Sequence, residues 1–159
     1  MSTNTLENNP LREQLIEHVI SLFRDTMPFN QLLGLQFLRK QHDIELHVPW
    51  QQSLTGNPLQ KILHGGVTAT MLDTIGGITA IIETIRLTPC DELANLQQKL
   101  ATMGTVDMRV DYLRPGRGTL FVATAAVIRK GSKLTVCRME LHNELGDHIA
   151  FGTGTYMLG

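Results

Sequence analysis

The sequence sets a single carboxylate, Asp73, inside a long apolar run. Between residues 65 and 86 it is the one ionisable group before Glu83. A carboxylate in such a run loses hydration on folding, so hydrogen bonds, a cation or a chemical task must retain it. No Lys or Arg lies within one helical turn of it along the chain. Thr hydroxyls or backbone groups would satisfy it structurally; work as a general base or nucleophile would explain it functionally. Nine residues earlier stands His64-Gly65-Gly66. Two glycines let backbone come close to a ligand, and at a helix start their N–H groups are free donors at the positive end of the dipole. Donors of that kind stabilise the oxyanion that develops in acyl transfer, by about 2.7–4 kcal/mol each. The same glycines could equally make a tight turn, with His64 holding a backbone group.

These residues need a helix to carry them, and the apolar pattern supplies one. Val67, Met71, Leu72, Ile75, Ile78, Ile81 and Ile82 cover most of the surface of a helix over 65–86, which predicts a buried central helix. Before it, Leu11, Leu15, Val19, Leu22 and Phe23 recur at helical spacing over 10–27. Asn9 offers a cap, Pro10 a favoured first-turn residue, and Pro28 a stop. Residues 1–9 are polar and expected to fray. A hairpin is expected over 33–48, turning at 41–43, followed by a loop over 49–63. After the central helix, 88–103 reads as a connection with a short helix over 91–100. Four strands follow at 105–113, 119–129, 134–143 and 148–157, separated by turn residues. The order predicts an α+β fold in which an antiparallel sheet wraps one long central helix, with an extra N-terminal helix, all in one domain over 1–159. An extension over 1–28 and a core over 32–158 make up that domain.

Composition narrows the function classes. The 159 residues are 42% apolar, enough for a core without disulfides. Fourteen basic residues stand against 15 acidic ones, with no basic run interleaved with aromatics, so nucleic acid is not an expected partner. Cys90 and Cys137 are far apart and form no CxxC pair, which fits a reducing compartment. No N-terminal apolar segment and no uncharged stretch suited to a bilayer is present, so a cytoplasmic protein without a membrane partner is expected. No GxSxG elbow, phosphate-binding Gly-Lys-Ser/Thr loop or HExxH spacing occurs, and neither a metal nor another cofactor is expected. His42 and His47 fall in the hairpin with no evident task.

The segment LHGGVTATMLD, with His64 nine residues before Asp73, resembles the hotdog-fold acyl-CoA thioesterases, in particular their phenylacetyl-CoA thioesterase branch. The likeness extends through TVDMRVDYLRPG at 105–116, the Lys130-Gly131 turn and the closing AFGTGTYML, and so covers about 32–158. It implies that His64 and Gly65 open the helix, that the Gly65 N–H polarises the thioester carbonyl, and that Asp73 is nucleophile or general base. Thr105 matches a Ser/Thr that orients the attacking water. Gly66 belongs to the same substrate-facing turn. Family members often carry an Asn six residues before the His; here Pro58 stands there and Asn57 lies one residue further off. Asn57 is therefore a candidate second carbonyl donor, or a plain turn residue. The resemblance also implies a homodimer, possibly a dimer of dimers, in which the Gly and the Asp of one site come from different chains.

An acyl-CoA substrate brings phosphates, for which Arg114, Arg129, Lys130 and Lys133, with Gly131 at the turn, could form a cationic rim. Its acyl chain needs an apolar tunnel, which Met71, Ile75 and Ile78 could line if they are not simply core. Hydratases of this fold carry a His five residues after the Asp, a position held here by Ile78. The remaining alternative to a thioesterase is a non-catalytic acyl-CoA-binding protein, since fold alone does not choose.

Overall fold

The computed structural model describes residues 9–158; the expected frayed start at 1–8 lies outside the described residues. Asn9 caps the first helix, α1 (Pro10–Asp25), by accepting the N–H groups of Leu11 and Arg12 on its side-chain oxygen. The helix stops two residues earlier than its apolar spacing predicts. Thr26 gives both its N–H and its hydroxyl to the Leu22 carbonyl, a bonding alternative that ends the ladder. Pro28 then opens a second helix that the sequence reading missed, α2 (Pro28–Leu33). A residue that stops one helix is also a favoured first residue of the next, and Gly34, at φ +69°, closes α2 in the left-handed conformation.

The hairpin forms as expected from β1 (Gln36–Lys40) and β2 (Asp43–Pro49). Within the segment expected to be loop, a short 3-10 turn precedes a miniature ladder of β3 (Thr55–Asn57) and β4 (Ile62–Leu63). The central helix α3 runs Gly65–Leu87. The connection after it holds α4 (Leu93–Leu100). Strands β5 (Gly104–Tyr112), β6 (Leu120–Lys130), β7 (Leu134–Asn143) and β8 (His148–Met157) follow, each within a residue of its expected bounds.

Six strands make one antiparallel sheet in the order β1-β2-β6-β7-β8-β5. Because side chains alternate along a strand, one register row faces α3 and the next faces away. Leu46, Ala123, Leu141 and Ala150 lie opposite one another across β2, β6, β7 and β8 and are fully buried. Met71, Ile75 and Ile78 of α3 are fully buried in the same core cluster. They pack in the core, the second of the two readings that the sequence left open. By length and composition α3 could cross a membrane, but 61% of its apolar window is buried inside the protein, as the core helix of a sheet requires.

The N-terminal helix is locked to this core by an ionic cap. Arg12 is 3% exposed and donates from Nε to the Ile85 carbonyl at 3.2 Å and from a terminal nitrogen to the Thr88 carbonyl at 2.8 Å. Those are orphan acceptors at the negative end of α3. Arg12→Ala is expected to cost about 1.5–3 kcal/mol. The melting temperature should then fall by roughly 3–12 °C. An unchanged melting curve would show that α1 is held by its apolar face alone.

Candidate active site

His64 adopts an extended conformation and caps α3: its Nδ1 accepts the Gly66 N–H at 2.8 Å. Its carbonyl accepts the N–H groups of Val67 and Thr68. Three of the four donors of the first turn are thus satisfied within the turn, and the Gly65 N–H is the one they leave. The Gly66 N–H thus serves the cap. The helix start is held in place by two contacts. Tyr112, at the end of β5, donates its hydroxyl to the Gly65 carbonyl at 2.8 Å. On the other side Gly56 lies so close that a Cβ there would meet His64 Cα at 2.6 Å.

Two turns further along, Asp73 is half-buried, and its Oδ1 accepts the Thr105 hydroxyl at 2.9 Å. Thr105 reaches it because of the sheet register. Thr105 stands opposite Tyr156 on the face toward α3, and a β-bulge follows between Thr105 and Asp107. Bulges re-aim side chains at such places. Here Val106 is turned outward and 56% exposed. Tyr156, fully buried, donates its hydroxyl to the Asp73 carbonyl at 3.1 Å. Burial, the Asp73 charge and Cys137 all push the Tyr156 phenol above its usual range, so it stays a donor. Its slot exists because Gly76 and Gly154 lack side chains: a Cβ on either would run into the Tyr156 hydroxyl. Sequence reasoning missed Tyr156. The paired glycines at 76–77 and the alternating glycines of FGTGTYM were the available signal.

Asn57 sits on β3 opposite Ile62. Its Oδ1 accepts the N–H groups of Leu59 and Gln60 at 3.0 and 3.2 Å, so that oxygen serves the turn. The expected cationic rim does not assemble within one chain. Arg114 pairs with Asp147 at 3.2 Å and gives its N–H to Ile149, at the start of β8. Lys130, whose Nζ donates to the Gly131 carbonyl, belongs with Arg129 and Gly131 to the β6–β7 turn, and Lys133 follows beside the end of β8. The length of β8, about 30 Å, separates the two groups. Gly131 packs closely into the turn itself, where a Cβ would sit 3.1 Å from the Leu134 carbonyl oxygen.

Both cysteines are free; Cys90 is exposed, whereas burial, with a contribution from Glu83, pushes the Cys137 thiol up to about 12. On the sheet face away from α3, Glu140, His142 and His148 bring ligand-type atoms within 4.8 Å of one another. The two imidazoles stack at 4.4 Å, and burial followed by the neighbouring His148 lowers the His142 pKa. The cluster joins residues on two strands, which spacing along one segment does not display. It lies across the sheet from Asp73.

A family model for the thioesterase superfamily matches residues 60–150. Over 148 residues the chain is 43% identical to the medium/long-chain acyl-CoA thioesterase YigI of Escherichia coli, spanning 92% of this chain and 96% of that protein. A crystal structure of a protein from Shewanella oneidensis related to the thioesterase superfamily superposes with a TM-score of 0.91 at 51% identity, covering 96% of this chain and 100% of that one. The fold is also that of BH2602 from Bacillus halodurans, solved with CoA, at a TM-score of 0.68 and 23% identity over 97% of each chain.

Proposed function

The chain belongs to the thioesterase superfamily and has its hotdog fold, and from that premise we propose that it hydrolyses the thioester of an acyl-CoA to the free acid and CoA. The observation that carries this reading is the Asp73 carboxylate, bonded to the Thr105 hydroxyl at 2.9 Å on the core helix. In the proposed reaction the Gly65 N–H polarises the thioester carbonyl, and Asp73 attacks it or takes a proton from a water that Thr105 orients. Negative charge developing on the carbonyl oxygen is met by a preorganised donor at the helix start, and collapse of the tetrahedral adduct expels the CoA thiolate. YigI, similar over nearly the whole chain, is named for medium and long acyl chains, and the same class is proposed here. The two free cysteines suit the cytoplasm as its compartment.

One chain does not supply both groups to one carbonyl. Gly65 and Asp73 are eight residues apart on α3, or about 12 Å along its axis. A second copy resolves this, because β5 is an open edge of the sheet with Val106 and Tyr112 exposed along it. Two-fold antiparallel pairing of two β5 edges sets the Thr105 end of one strand against the Tyr112 end of the other. Since Thr105 touches Asp73 and Tyr112 touches Gly65, the pairing brings one chain's carboxylate to the other's helix start. The proposed unit is therefore a homodimer, or a dimer of such dimers.

The test is CoA release from a panel of acyl-CoAs; no release with any chain length would remove the hydrolase reading and leave acyl-CoA binding. A smaller effect is expected of Thr105→Ala. The variant loses one hydroxyl that positions water and holds the carboxylate, so kcat should fall roughly ten- to a hundredfold, the value of one hydrogen bond to a charged group. A loss as large as that of Asp73→Asn would make Thr105 a primary reacting group.

A further inference from the structure

We propose that the acyl chain of the substrate leaves Asp73 between Gly77 and Met103 and enters an apolar cavity roofed by α1, which sets the chain length the protein accepts. The inference rests on the hydrolase reading above and deepens it. Three observations lead from the carboxylate to the cavity. Gly77 and Ile81 follow Asp73 at intervals of four residues, so the three share one stripe of α3. On the β5 side, Thr105 touches Asp73, and two residues earlier Met103 lies over Gly77, where a Cβ would stand 3.0 Å from Met103 Cε. The missing side chain at Gly77 and the flexible thioether at Met103 make this the soft point in the wall. Beyond it Leu15, Val19 and Leu22 of α1, with Ile81, Leu100 and Met103, line a partly open cavity of about 350 Å³.

That volume lies within the range of ligand pockets, about 300–1,000 Å³. Among the described residues His18 is the one polar side chain in the lining, which suits a hydrocarbon and not a headgroup. The stripe from Asp73 to Ile81 is about 12 Å long, room for an acyl chain of medium length in its extended form. Leu22, Met27 and Phe29 leave apolar surface exposed where α1 gives way to α2, so a longer chain would continue over a greasy surface rather than into water. The roof, α1, lies before the segment that the family model matches. It is an addition to the core that bears on substrate range and not on the hydrolytic step.

The experiment compares kcat/KM across butanoyl- to hexadecanoyl-CoA for wild type, Leu22→Trp and Met103→Ala, with melting curves to confirm folding. Leu22 is 38% exposed, so an indole there can fill the cavity without overpacking the core. The ratio of dodecanoyl- to butanoyl-CoA is expected to fall about tenfold or more in Leu22→Trp, each excluded methylene contributing roughly fourfold. In Met103→Ala the ratio should rise, or the optimum move to longer chains. A ratio within about twofold of wild type in both folded variants overturns the assignment. If wild type hydrolyses no acyl-CoA, the hydrolase reading has failed separately, and dodecanoate binding by calorimetry decides the cavity. Weaker binding to Leu22→Trp than to wild type supports it; equal binding to both, or none, overturns it.

Discussion

Asp73→Asn is expected to leave a folded protein whose kcat is lower by about 10²–10⁴-fold, the contribution of a positioned acid–base group. The substitution keeps size and retains an oxygen to accept the Thr105 hydroxyl, which now bonds Asp73 Oδ1 at 2.9 Å. It also leaves untouched the backbone carbonyl that Tyr156 holds. What it removes is the negative charge that attacks or takes the proton. Melting temperature should therefore match wild type or rise, since relieving a half-buried charge commonly stabilises a site. Near wild-type turnover in a folded variant would remove Asp73 from the reaction. Turnover in 18O-labelled water separates the two roles: label appearing in the Asp73 carboxylate reports nucleophilic attack through an anhydride that water then opens at the Asp73 carbonyl.

Two inactive variants, refolded together, should regain activity. Asp73→Ala lacks the carboxylate and Gly65→Pro lacks the backbone N–H. If each site takes one group from each chain, a mixed dimer has one site with both groups and one with neither. Random pairing makes about half of all dimers mixed, so the mixture should recover about a quarter of wild-type activity. Gly65→Pro is a clean variant for structural reasons. Gly65 is the first residue of α3, where proline is favoured. The preceding His64 has φ −64° and ψ 133°, the extended conformation proline requires of its neighbour. The nearest atom to a Cβ at Gly65 is in the Tyr112 ring at 3.4 Å, an ordinary contact. Alone the variant should lose about 10²–10³-fold in kcat, the value of one oxyanion donor. Activity of the mixture staying at the parental level, with mixed dimers verified by native mass spectrometry, would exclude shared sites.

The sequence by itself determined the elements and the chemistry of their most unusual residues. The bounds of α3 could be read because two glycines precede a run with a single charge in it, and β5 to β8 because alternation and turn residues are local signals. His64 and Asp73 stood out for the same reason: a cap and a lone carboxylate are visible in their immediate neighbours along the chain. Tertiary structure alone decided what those residues touch. Thr105 reaches Asp73 across 32 residues through a register and a bulge that no local pattern encodes. Tyr156 reaches it across 83 residues through a slot made by glycines on two different elements. Arg12 lies on an amphipathic helix with no local mark of its role, and it is buried against carbonyls more than 70 residues away. Met71, Ile75 and Ile78 were equally compatible with core or tunnel, because an apolar side chain has no directional preference until a neighbour is placed against it. The cationic residues gave no hint that the length of β8 lies between them, since charge is legible in a sequence but separation in space is not.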